Sequence, residues 1–224
     1  GTIFLHLPLP GKTLGYPSMT IHLHHGDLPD GLVFGRSIAV DTETLGLNPH
    51  RDRLCLVQVS AGDGDAHLVK FGPDDYEKAI NLKSILANPE IVKIFHFARF
   101  DVAVMLHYLK VRTAPVYCTK LAAKLTRTFT DRNGLKDLCR DLLSVEISKQ
   151  QQTSDWGAPE LSEEQKIYAA NDVLHLHALK AKMDDLLKRE ERMDLANACF
   201  NFLPTRAELD LLGGWEDPDI FAHK

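Results

Sequence analysis

The stretch IAVDTETLGL, Ile38 to Leu47, sets an apolar run that must be buried directly against two carboxylates and two threonines. Ser37–Val40 is apolar and β-prone, and side chains alternate along a strand. Asp41 and Glu43 therefore share one side while Thr42 points to the other. Two like charges so close repel, and the arrangement persists only with something positive between them. A divalent cation is the economical choice. An isolated D-x-E is more often a solvated strand end, so further acids have to decide the matter.

Two later segments supply them. In KIFHFARFDVAVML, Asp101 sits near the start of a helix beside the stripe Phe97, Phe100 and Val104. Alone it reads equally as a first-turn acid favoured by the helix dipole. In EEQKIYAANDVLHLHALK, Tyr168 and Asp172 are four apart and share a helix face. Alone, that pair reads as a tyrosine over core and a solvated aspartate. What carries weight is the order: a D-x-E strand, a helix aspartate, then a Y-x-x-x-D helix.

The surrounding chain alternates strand-like and helix-like segments without repeats or low-complexity tracts. Strands are expected at Ser37–Val40, Arg53–Ala61, AHLVKF and Glu90–Phe95, with GDGD (Gly62–Asp65) as a hairpin turn. Helices are expected at NLKSILAN, from Phe97, over Asn133–Leu143, as one or two over Ser162–Leu187, and over Arg189–Phe202. The fold class is α/β, a central mixed sheet flanked by helices with a helical C-terminal half. The 224 residues are 44% hydrophobic and 25% charged, the composition of a globular domain with one core. The first 18 residues read as a leader or tag-like extension, leaving one domain over residues 19–224.

Charge and cysteines narrow the function classes. A formal net charge of −5 does not suit a protein that grips long nucleic acid through many phosphates, so any such substrate is expected to be short or locally held. Cys55, Cys118, Cys139 and Cys199 form no CxxC pair and read as reduced thiols of a cytoplasmic protein. No apolar run reaches membrane-spanning length. Neither G-x-G-x-x-G nor a phosphate-binding G-x-x-x-x-G-K-[ST] loop occurs.

With the acidic motifs in order, and with ISKQQQTSDWGAPELSEEQKIYAANDVLHLHAL leading into the last of them, the sequence resembles the DEDD superfamily of 3′–5′ exonucleases. It is similar to the subgroup whose fifth residue is tyrosine and to the RNase D type within it. The segments DTETLGLNPHRDRLCLVQVS, CTKLAAKLTRTFTDRNGLKDLC and LDLLGGWEDPDIFAHK resemble its compact bacterial nanoRNase branch. The resemblance implies an RNase H-like/DnaQ-like exonuclease fold. It implies that Asp41, Glu43, Asp101 and Asp172 hold two divalent cations, Mg²⁺ or Mn²⁺, and that Tyr168 orients the attacking water and secondarily takes its proton. It also implies hydrolysis of very short RNA, dinucleotides above all, to nucleoside 5′-monophosphates by a ring-shaped homo-oligomer, an octamer. The alternative is a general single-stranded RNA or DNA exonuclease of RNase D type, acting in RNA processing.

Substrate contacts are carried over with alternatives open. The backbone around Thr42 would hold the 3′-terminal nucleotide, and Leu45 would wedge at the bases or simply pack the strand end. His96 would touch sugar or phosphate, or be a hydrogen-bonded structural histidine. Arg99, Arg132, Lys136 and Lys149 are basic residues near the motifs and candidates for phosphate contacts. Arg51 and Arg53 would serve phosphate or subunit contacts. The apolar residues Leu211, Leu212, Trp215, Ile220 and Phe221 are expected to form a tail without helical period, buried in a subunit interface or packed on their own domain.

Overall fold

Arg53–Ala61 alternates with period two through Leu54 and Leu56, the pattern of a half-buried strand, yet in the computed structural model all seven residues of β3 (Leu54–Ser60) are buried. Such a strand needs a sheet covered on both faces. The structure describes residues 19–213 and 219–223, so the expected leader over residues 1–18 lies outside the described residues, as does Trp215. β3 lies between β2 (Ser37–Thr44) and β4 (Asp65–Lys70), antiparallel to both. Beyond them, β1 (Thr20–His25) runs parallel to β4, β5 (Val92–Phe95) parallel to β2, and β6 (Val116–Cys118) parallel to β5. The six strands are ordered β1-β4-β3-β2-β5-β6, the mixed sheet expected. Each fully buried aliphatic side chain in its centre is worth about 1.5–3 kcal/mol against exposure.

The β3–β4 connection is the hairpin turn that GDGD suggested. Gly62 has φ +80°, and a Cβ there would come within 2.8 Å of the His177 ring, so no other residue fits the turn without displacing that ring.

Helices follow as α1 (Ile80–Ala87), α2 (Ala98–Leu109), α3 (Thr119–Thr126), α4 (Leu135–Leu138), α5 (Glu163–Leu174), α6 (Leu176–Arg189) and α7 (Met193–Leu212). Helix α5 packs across β2, β3 and β4, α2 lies along α7, and α3 along α6. The start of α5 is fixed by a capping box: the Gln165 N–H donates to Ser162 Oγ at 3.2 Å, and the Ser162 N–H donates to Gln165 Oε1 at 2.9 Å. The Gln165 amide also donates to Ser154 Oγ and to the Asp155 carbonyl, tying the segment around Trp156 to the same helix start.

Several elements differ from the sequence expectation. β1, β6 and α3 stand outside the sequence expectation. The single helix expected over Asn133–Leu143 is a four-residue turn, α4, running into a π-helical turn, Cys139–Leu143. The last helix extends past Phe202, through Pro204, to Leu212, so Leu211 and Leu212 belong to α7 and not to an irregular tail. Of the tail itself, the Phe221 ring stands edge-on to Phe202 at 5.7 Å and Asp219 lies 3.7 Å from Arg206, both on α7 of the same chain. All four cysteines are unpaired. Among the described residues, no helix is long and apolar enough to cross a membrane.

Candidate active site

β2 becomes acidic where it leaves the core: Ile38, Ala39 and Val40 are fully buried, and Asp41 and Glu43 follow on one side. Asp172 comes to them from α5. Carboxylate oxygens of Asp41, Glu43 and Asp172 all lie within 4.8 Å of one another. Asp101 stands slightly apart, on the first turn of α2, with Oδ1 accepting a 2.6 Å hydrogen bond from Thr42 Oγ1. Thr42 points away from the acid pair as expected, and in doing so it secures the fourth acid.

The electrostatics of this cluster are unbalanced. Asp41 and Glu43 are raised well above the usual carboxylate range, first by burial and then by the neighbouring acids. Burial also pushes Asp101 up to about 7, and burial together with Asp101 pushes Asp172 up to about 8. Among the described residues, the side chains hydrogen-bonded to these carboxylates are Thr42 and Gln58, and neither is charged. One buried and three half-buried acids, with no cationic side chain hydrogen-bonded to them among the described residues, fit hard divalent cations, which take oxygen ligands and supply the missing charge. Zinc-type Cys and His ligands are not part of the set.

Gln58 is a site residue that no sequence motif marks. Fully buried, it lies opposite Asp41 in the strand register, and its Nε2 donates to Asp41 Oδ2 and Glu43 Oε1, both at 3.3 Å. The available signal was a lone amide inside LCLVQVS. Trp156 was also missed as a site residue: buried, it sits 5.9 Å from the Tyr168 ring and fixes its side. The Tyr168 hydroxyl is held well above its ordinary pKa by burial, then by Asp172, Glu43 and Asp41, so it remains a phenol.

The substrate candidates separate. Leu45 is exposed, and a Cβ on Gly157 would stand 2.9 Å from Leu45 Cδ2, so the placement of the Leu45 side chain depends on a glycine in the Trp156 segment. His96 is hydrogen-bonded through Nδ1 to Thr119 Oγ1 at 2.9 Å, while Thr119 Oγ1 donates to the Phe95 carbonyl. The threonine's one proton is thereby used, so His96 Nδ1 is the donor. Burial, and secondarily Lys120, pushes His96 down to about 3, leaving a neutral, locally bonded ring. Arg99, a phosphate candidate, instead makes a two-point contact with Asp210 of α7. Lys136 lies on α4, one turn before Cys139, whose thiol is pushed up to about 12 by burial and then by Asp172, so α4 borders the site. Arg51 pairs with Asp52, and Arg53 donates to the carbonyls of Leu54 and Phe71, so both are engaged within the chain.

Comparison with known proteins identifies this arrangement. Residues 29–188 match the 3′–5′ exonuclease family, a span that includes all four acids and Tyr168. The chain belongs to the 3′–5′ exonuclease family. Its sheet and flanking helices are accordingly the RNase H-like/DnaQ-like exonuclease fold. Ribonuclease D of Gluconacetobacter diazotrophicus is 35% identical over 160 residues, covering 70% of this chain and 39% of its own length. The chain thus spans about two fifths of that relative. Brucella melitensis NrnC bound to pGG is 55% identical with a TM-score of 0.87, covering 92% of this chain and 100% of the other. Brucella melitensis NrnC with bound Mg²⁺ is 54% identical with a TM-score of 0.86, again covering 92% and 100%. The chain is therefore an RNase D-like 3′–5′ exonuclease similar to NrnC.

Proposed function

We propose that this protein is a metal-dependent 3′–5′ exoribonuclease that hydrolyses very short RNA, dinucleotides above all, to nucleoside 5′-monophosphates. The observation that carries the reading is the convergence of Asp41, Glu43 and Asp172 within 4.8 Å, in a fold shared along the whole length of an NrnC bound to pGG. Asp41, Glu43, Asp101 and Asp172 are the residues to hold two divalent cations, Mg²⁺ or Mn²⁺, of which the Mg²⁺-bound NrnC supports the first. Bound there, such ions supply the charge that activates a water and steadies a leaving oxygen.

The chain's own groups do the positioning. Gln58 holds the two carboxylates of β2 in one orientation, and Thr42 holds Asp101. Tyr168, a phenol backed by Trp156, orients the attacking water through its hydroxyl, and its raised pKa makes proton abstraction the lesser part of its role. Leu45 at the rim is placed to wedge against the bases of a bound dinucleotide, and Lys136 on α4 to meet a phosphate. His96 acts by fixing the turn before α2, through Thr119. We further propose a cytoplasmic homo-oligomer, an octamer, with the exposed Leu212, Ile220 and Phe221 in subunit contacts.

The test is a time course with Mg²⁺ or Mn²⁺ on 5′-labelled RNAs of two to seven nucleotides beside single-stranded DNA of each length. Rapid loss of the dinucleotide with slow loss of longer RNAs is expected. Equal rates at every length, or strong DNA cleavage, would replace this reading with a general exonuclease of RNase D type.

A further inference from the structure

Asp101 enters the site from the first turn of α2, whose start has no N-cap side chain, although the Cys118 sulfur lies against the Phe97 and Ala98 N–H groups. Its N-cap is Phe97, with φ 70° and ψ 51° and no side-chain capping hydrogen bond. A bulky aromatic residue in the left-handed region is disfavoured, and the first N–H groups of a helix need partners outside it. Anchorage comes from elsewhere. From β2, Thr42 donates to Asp101 itself. From α7, Asp210 grips Arg99, two residues before Asp101: Nε to Oδ2 at 2.7 Å and Nη2 to Oδ1 at 2.7 Å. The Asp210 carboxylate is nearly enclosed and also accepts from Arg206 Nη2 at 2.8 Å. A fork-to-fork arginine–carboxylate contact fixes orientation as well as distance. It therefore sets the rotation of the first turn of α2 against α7, the helix along which α2 packs.

We propose that Asp210 is a positioning residue that acts through Arg99 to hold Asp101 among the site's carboxylates, so that α7 helps set the affinity for divalent cations. No part of the metal-site family motif reaches α7; the role arises only from the packing of α2. It rests on the metal-dependent reading above, and one set of titrations separates the two. Mg²⁺ is titrated calorimetrically into metal-free full-length wild type, Asp172→Asn, Asp210→Asn and Asp184→Asn, with thermal melting of each. Asp184 of α6 is a structural control, because it accepts from Tyr117 Oη at 2.9 Å and Lys180 Nζ at 2.6 Å in a comparable network without contact to the acids.

The expected result is a severalfold loss of Mg²⁺ affinity in Asp210→Asn, less than the roughly tenfold at which losses begin for groups bonded directly to metal ligands. Asp184→Asn should bind as wild type although its melting temperature also falls. Wild-type affinity in Asp210→Asn, or equal losses in both variants, would overturn the positioning role. Absence of saturable binding in wild type, or binding indifferent to Asp172→Asn, would overturn the metal-dependent reading instead. Should Asp210→Asn not fold, Arg99→Lys keeps the charge, gives up the two-point contact, and carries the same expectation.

Discussion

Tyr168 shows how much of the site's behaviour is set by single side chains. Its ring is held against Trp156, and burial first, then three neighbouring acids, keep the proton on its hydroxyl. Tyr168→Phe keeps the packing and removes only the hydroxyl. Turnover of a dinucleotide is expected to fall about a hundredfold, within the range for loss of a group that orients or shuttles a proton, with the melting temperature unchanged. Single-turnover kinetics beside thermal melting checks both halves, and a rate near wild type would leave the water without its orienting group. Gln58 belongs to the same scale. A neutral amide between two carboxylates lessens their repulsion without competing with a cation for their remaining lone pairs.

At the scale of elements, the site is a meeting of one strand end, two helix faces and one loop. β2 supplies Asp41 and Glu43, α2 supplies Asp101, and α5 supplies Tyr168 and Asp172. The loop around Trp156 is tied to α5 by the amide of Gln165, which also completes the capping box. Gly157 in that loop lies under Leu45, so Gly157→Ala drives the flexible end of Leu45 outward rather than breaking the fold. A severalfold rise in KM for dinucleotide with kcat nearly kept is expected, because uniform binding is what a displaced wedge loses. Steady-state kinetics on a labelled dinucleotide measures the split. A fall in kcat alone would place Leu45 outside substrate binding.

Histidine burial shapes the whole molecule. Burial, with His67, His22 and His25 adding to it, pushes His24 down to about 4; burial lowers His67, His107, His175 and His177 as well. His24 and His67 share a 3.0 Å hydrogen bond across β1 and β4, their rings nearly parallel. A histidine whose folded pKa is depressed stabilises the fold fully above its unfolded value of about 6.5, and that contribution is lost as pH falls towards the folded value. The acids of the site act in the opposite sense, since their raised pKa values favour the folded state as they protonate. Comparison with His24→Gln cancels them. The advantage of wild type over this variant in urea unfolding should shrink as the pH is lowered from about 7 to about 5. An advantage constant with pH would show that His24 titrates alike in both states.

The residue sequence itself determined the sheet centre, the hairpin at Gly62, helix α5 and the four acids with Tyr168. Each is written in local terms: alternation on β2 and β3, turn glycines, helical periodicity, and i to i+4 spacing. It determined the fold class for the same reason, because alternating strand and helix patterns leave few ways to cover a sheet. Tertiary structure alone decided the rest. β1, β6 and α3 persist because parallel neighbours and α6 pack against them. Arg99 and His96 carry in sequence the marks of phosphate contacts, but a basic side chain near a motif is assigned by what lies across from it. Asp210 lies more than a hundred residues from Arg99, and Thr119 lies on a helix the pattern did not show. Charge and spacing are properties of the chain; the partner that satisfies a charge is a property of its packing.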